Sequence, residues 1–507
     1  MKRSLFLFLL LLGGHLVCAG GIRAADADAA AVAVSTATQD CLDCHAIFHP
    51  GIVADWKKSR HAAITPAAAM AVTGEGRKIS TESVAEAYQH VAVGCAECHL
   101  LRPEAHKDSF EHNGYQVHVV VSPRDCGTCH PEEAAQYDRN LMAHAHKNLK
   151  ANAIYNQLQQ SILGAPQVKA DRIRMTAASS ATRAEGCYYC HGTELQVTGR
   201  EVRETDVGEL EFPVIAGWPN QGVGRINLDG SRGACTACHT RHQFSMAMAR
   251  KPDTCGECHV GPDVPALKVY EASKHGNIFR SLHHEWNFDD VPWKIGEDFV
   301  APTCAACHVS LLVDSDGNVV AERTHEVKNR LAWRIFGLIY AHPQPSDPDT
   351  SSIRNSRGRP LPTDLDGGVA HKYLIDSQTQ AQRRLEMTAI CLKCHDSSWV
   401  AEHFKRFEET IGSTNASVKA ATDLMQAAWK QGVASGLDQG QNPFDEGIER
   451  IWSDGWLFYA NTIRYASAMA GGGDYGVYAN GRYQLSTTLF QLADRLALER
   501  RLGPLKE

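Results

Sequence analysis

Cysteines in the pattern Cys-x-x-Cys, each followed at once by histidine, occur eight times in this chain. The pairs are Cys41 and Cys44, Cys95 and Cys98, Cys126 and Cys129, Cys187 and Cys190, Cys235 and Cys238, Cys255 and Cys258, Cys304 and Cys307, and Cys391 and Cys394. The histidines that follow are His45, His99, His130, His191, His239, His259, His308 and His395. Two thiols at this spacing can form thioethers to the vinyl groups of a porphyrin, and the next imidazole can bind the iron, as in c-type haem attachment. Zinc or a redox disulfide is the other use of such a pair. Zinc needs pairs of pairs, and neither needs a His after every second Cys. The 17 Cys close the count, because sixteen sit in the motifs and the last, Cys18, lies near the N-terminus. The expected cofactor is therefore eight covalently bound haem c, and the expected chemistry is electron transfer.

The motifs lie at irregular intervals, so the chain is not a repeat array. Only 20 residues separate the fifth from the sixth, which forces two haems close together. The expected fold is mainly α, with a haem-binding catalytic domain at 41–395 and a C-terminal helical domain at 396–507. In the latter, segments 397–412, 416–432, 443–470 and 483–501 carry apolar residues at helical spacing. Residues 25–40 are Ala-rich and read as a flexible arm. Residues 201–233 lack helical periodicity and read as a strand-and-turn excursion. Residues 342–368 read as a long irregular loop.

Residues 1–24 read as a secretory signal peptide, with a basic Met1-Lys2-Arg3 start, an apolar run and small residues after it. The apolar run is shorter than the roughly 20 residues a membrane span needs, and no later stretch is apolar enough. Secretion and haem attachment outside the cytoplasm both point to a periplasm. Formal charge is −7 before the haem propionates are counted. An acidic protein of this kind excludes nucleic acid as a partner and attracts a basic patch on an acceptor cytochrome.

Eight further imidazoles would complete eight bis-His haems, and seven if one haem stays open. Of 25 His, sixteen lie outside the leader and the motifs, so counting does not decide. The distal candidates are His61, His106, His146, His242, His275 and His325, with His118, His284 or another as the seventh. Met246 and Met248 suit a helical core better than iron.

The segments RINLDGSRGACTACHTRHQFS, CGECHVGPDVP, YEASKHG, DFVAPTCAACHVS and THEV resemble the octahaem hydroxylamine oxidoreductases. The likeness runs from about Cys41 to the C-terminus. The related octahaem nitrite and tetrathionate reductases differ, because they carry a Lys at the catalytic motif and this chain has none. The resemblance implies that the fourth haem is catalytic, with His191 as its proximal ligand and an open distal side. It implies oxidation of hydroxylamine to nitric oxide or nitrite there, with Asp263 taking up protons and seven bis-His haems passing electrons on. In oxidative members a Tyr from a neighbouring subunit bonds covalently to that haem. Gly473-Asp474-Tyr475-Gly476 is similar to that segment, which makes Tyr475 the candidate and implies a homotrimer. The family places an Asp-His pair after the sixth motif; here Asp263 is followed by Val264. The loss of that His removes one of two proton-handling groups. A reductase of nitrite or hydroxylamine to ammonia, hydrazine oxidation, and a purely conducting cytochrome all remain open.

Overall fold

The computed structural model describes residues 32–169, 172–471 and 473–502. The signal-peptide reading of residues 1–24, with Cys18, lies outside the described residues. The arm reading of 25–40 needs correction at its end, because a helix already begins at Thr36 and runs through the first motif (Thr36–Phe48). Two hydrogen-bond sets fix this start. The Ser35 hydroxyl accepts from the Thr38 N–H at 3.1 Å, as an N-cap does. The buried Thr38 hydroxyl donates to Glu97 at 2.7 Å and accepts from the Ala96 N–H at 3.1 Å, tying the first motif to the second.

The fold is mainly α, with short helices carrying most of the motifs and small two- or three-stranded sheets between them. The motif helices are brief, such as Ala96–His99, Cys187–His191 and Cys304–His308. The eighth motif begins at the end of a longer one, Ser377–Cys391. The excursion expected at 201–233 is an antiparallel hairpin, Gln196–Thr205 with Gly208–Ala216, followed by turns. A smaller ribbon pairs Trp333–Arg334 with His342–Pro343, placing Arg334 directly opposite His342.

The C-terminal helices are Ser397–Lys430, Gly447–Asp454, Ala460–Ala468 and Arg482–Leu502. They enclose a dense core in which Met425, Trp429, Trp452, Trp456 and Leu492 are buried. The Trp452 N–H donates to Thr422 at 3.0 Å and the Trp429 N–H to Glu449 at 2.7 Å, so the polar edges of both rings are satisfied. Segments 397–412 and 416–432 are not two helices but one unbroken helix. Gly412 sits in open space, and the Asn415 side chain brackets Ala341, accepting from its N–H at 3.2 Å and donating to its carbonyl at 3.0 Å. That tertiary contact outweighs the weak helix propensity of the Gly-Ser-Thr-Asn run. Among the described residues, no helix is long and apolar enough to cross a membrane.

Candidate haem-binding and active site

One continuous cavity of about 2330 Å³ runs through the molecule. Single-ligand pockets span roughly 300–1000 Å³, so this space suits several large groups. All eight motif histidines lie on its wall. None of the sixteen motif cysteines is in a disulfide.

The thiols give the order in which the motifs meet. Side chains of Cys41 and Cys95, Cys126 and Cys235, Cys190 and Cys258, and Cys255 and Cys304 are in direct contact. Cys98 lies within electrostatic range of Cys129, Cys238 of Cys255, and Cys307 of Cys391. The motifs therefore connect as one, two, three, five, six, seven and eight, and the fourth joins at the sixth. Of the sixteen motif thiols, only Cys44 and Cys394, at the two ends of that line, are exposed.

The histidines test whether haem fits. With metal–imidazole bonds of about 2 Å, two rings on opposite faces of one iron have centroids roughly 6 Å apart. Among the described residues, five pairs that include a motif histidine lie at this distance: His45 with His112 at 6.1 Å, His130 with His61 at 6.4 Å, His239 with His325 at 6.4 Å, His395 with His275 at 6.1 Å, and His99 with His118 at 6.0 Å, the last set apart because both His118 ring nitrogens rest on carbonyls. His242 lies on the wall within electrostatic reach of His99. The residues present thus fit haem c, with Cys pairs to bind it and imidazoles to face both sides of its iron. The His99 Nδ1–H donates to the His118 carbonyl at 2.8 Å, leaving Nε2 for the iron.

The other sequence candidates are engaged differently. His106 is buried off the wall, with Nε2 at 3.1 Å from Asp125 and its ring stacked on His118 at 3.5 Å. The two carboxylates Asp108 and Asp125 raise its pKa to about 9 against the cost of burial. A charged imidazolium between carboxylates is not a free ligand, and the geometry does not bring His106 to any motif histidine. His118 has both ring nitrogens on carbonyls, Leu101 at 3.0 Å and Val120 at 3.2 Å. His146 directs Nδ1 to the Gly192 carbonyl at 2.7 Å, and its buried Nε2 has no partner; it is not on the wall. His284 is exposed beside Glu285. Met246 lines the cavity and Met248 is exposed. Sequence reasoning missed His112, which ends the short strand Phe110–His112 at a turn, and His342 and His403, which also line the wall. The Asn113-Gly114 turn after His112 was the available signal, since it places that His at a hairpin corner.

Around the fourth motif, Gly192 has a φ of +88°, and a Cβ there would collide with the backbone of Gly224 and Arg225. That close approach fixes His191 against the turn at 222–225. The Tyr155 ring stands edge-on to His191 at 6.4 Å. Asp263 faces the cavity near Cys190, Tyr155 and Tyr465, all of which feel its charge. Asn461 holds the Asp263 carbonyl at 2.9 Å. Val264 turns into an apolar cluster with Ile335, Ala341 and Tyr465. Tyr475 packs against that same cluster in its own chain, half-buried and not among the cavity-lining residues.

Two family models match. Residues 209–334 fit the model "Seven times multi-haem cytochrome CxxCH", and residues 125–211 fit "Cytochrome c554 and c-prime". The chain is 27% identical over 365 residues to a "Probable nitrite reductase-hydroxylamine oxidoreductase fusion protein" of Kuenenia stuttgartiensis, covering 70% of this chain. The chain spans about a third of that relative's length (34%). A solved "Hypothetical multiheme protein" is 37% identical with a TM-score of 0.87, over 94% of this chain and 98% of that one. A reducing HAO-like protein complex of Kuenenia stuttgartiensis shares the fold at 18% identity and a TM-score of 0.60, over 92% of this chain and 86% of that one.

Proposed function

We propose that this chain, which belongs to the multihaem cytochromes c and is hydroxylamine oxidoreductase-like, is a secreted periplasmic enzyme. It carries eight haem c groups and oxidises hydroxylamine to nitric oxide or nitrite at the fourth motif. The observation that carries this reading is the junction at Cys190 and Cys258. There the motif whose Cys190 feels the charge of Asp263 joins a line of seven others that ends at the surface in both directions. Bound haem c supplies an iron that exchanges single electrons, at a potential set by ligands and surroundings. The chain's own residues do the rest. Cys187 and Cys190 hold the group, His191 orients it from one side, and Asp263 stands on the wall as a carboxylate able to take protons from a bound nitrogen compound. His99, through its bond to the His118 carbonyl, shows how the fold presents Nε2.

Hydroxylamine, nitrite and hydrazine are the candidate small nitrogen compounds, and a cytochrome c is the electron partner. In this reading Tyr475 crosslinks the fourth haem of the partner subunit in a homotrimer. Its position off its own cavity wall supports a role in trans. A second reading, reduction of nitrite or hydroxylamine to ammonia, is favoured by Val264, whose side chain is apolar and packed where a second proton-handling group would serve.

The optical spectrum of the dithionite-reduced holoprotein separates the two. A distinct band well to the red of the ordinary c-type Soret is the expected mark of a crosslinked catalytic haem. Its absence, with one haem still binding carbon monoxide, would replace oxidation by reduction.

A further inference from the structure

Arg334 lies on the cavity wall near His191, and its charge acts on His191, His342 and Tyr465. Its Nε–H donates to the Phe336 carbonyl at 3.3 Å, and its guanidinium lies 5.0 Å from the Phe336 ring centroid. No hydrogen bond or ion pair engages its two terminal nitrogens among the described residues. Most other wall guanidiniums are occupied; of the two without a hydrogen bond or ion pair among the described residues, Arg60 is exposed and Arg241 stacks over the Trp218 ring at 5.3 Å. Arg225, Arg250 and Arg330 give theirs to backbone carbonyls, while Arg323 and Arg384 pair with Glu133 and Glu408. The nearby Arg464 is held by Ile335, Asn461 and Asn415. Arg334 is also anchored stiffly. It sits in the ribbon with His342 as its cross-strand partner, and His342 donates Nδ1–H to the Pro343 carbonyl at 2.7 Å. A half-buried guanidinium with two free parallel N–H groups is a fork for a planar two-oxygen anion.

We propose that Arg334 is the anion-binding residue of the active site and holds a small two-oxygen anion, nitrite, as substrate or product at the fourth motif, on the side away from its proximal His191. This deepens the functional reading and rests on the fourth haem being the reacting one. Neutral hydroxylamine has a single, uncharged oxygen, so the fork serves the oxidised end of the reaction in either direction. A haem propionate offers the same chemistry, and the experiment separates the two sources.

The test titrates the oxidised holoenzyme with nitrite and the reduced holoenzyme with carbon monoxide, for wild type, Arg334→Met and Arg334→Lys. Loss of a charged hydrogen-bonded pair should weaken nitrite binding in Arg334→Met roughly ten- to hundredfold. Carbon monoxide, being neutral, should bind unchanged, and Arg334→Lys should recover part of the nitrite affinity. Unchanged nitrite binding with a shifted midpoint potential of one haem would assign Arg334 to a propionate and overturn the proposal. Equal loss of both ligands would mean a disturbed haem pocket and overturn it too. A wild type that binds neither ligand would have no open haem, and would overturn the functional reading itself along with the subsite.

Discussion

The C-terminal helices and the haem-binding region are built on opposite plans. In the first, side chains fill the interior, with Trp429, Trp452, Trp456 and Met425 almost fully enclosed by one another. In the second, the motifs line a cavity of about 2330 Å³, and only smaller packed clusters, such as the one around Phe279, Trp293 and Phe299, stand beside it. Protein interiors are ordinarily packed as densely as organic crystals. A region that leaves so much space therefore depends on what is attached to it. The lesson is that one chain can carry a core encoded in its side chains next to a core completed by covalent chemistry.

The largest effect should come from withholding the cofactor. Chain made without haem attachment should lose most amide-exchange protection in residues 41–395 and keep it in Ser397–Lys430 and Arg482–Leu502. Equal protection in both regions would dissolve the contrast. Next, Trp452→Ala should destabilise the C-terminal helices by about 3–5 kcal/mol and leave the haem spectrum unchanged. A spectral change would show that the two cores are one. Thr38→Val removes the hydroxyl that serves both Glu97 and the Ala96 N–H inside the haem region. It should cost about 1–3 kcal/mol, read as earlier loss of the first two haem environments in denaturant.

The most gradual effect is a pH slope confined to the C-terminal core. Burial pushes the Glu449 carboxyl up to about 8, against the Trp429 N–H that favours its charge. Between its ordinary value near 4.5 and about 8, the folded state holds a proton that the unfolded state has released. Stability of these helices should therefore fall as pH rises through that window, by at most about 1.4 kcal/mol per unit. Amide exchange of Gly447–Asp454 across this range checks it, and a flat profile would remove Glu449 from the balance.

What the sequence disclosed follows the range of the interactions involved. Haem attachment is local, five residues long, so the candidate thiols and proximal imidazoles can be read from the sequence alone. Distal imidazoles come from far along the chain, and only tertiary structure brings His61 to His130 or His325 to His239. His106 looked equally suitable, yet Asp108 and Asp125 claim it. His112 was overlooked because it ends a three-residue strand, with no helical context to suggest it. The contact of the third motif with the fifth, and of the fourth with the sixth, skips sequence neighbours and has no local signature. The unbroken helix Ser397–Lys430 likewise depended on Ala341, some seventy residues upstream of Asn415.

The attachment of the fourth motif at the sixth has a consequence of its own. It is a siding that meets a through line at an interior station, with an open platform at each terminus, near Cys44 and near Cys394. With electrons entering at the fourth haem, as proposed, traffic from the siding can clear in two directions, so a blockage at one terminus leaves the other free. Several charges can also stand on the line at once while the siding is already free for the next arrival.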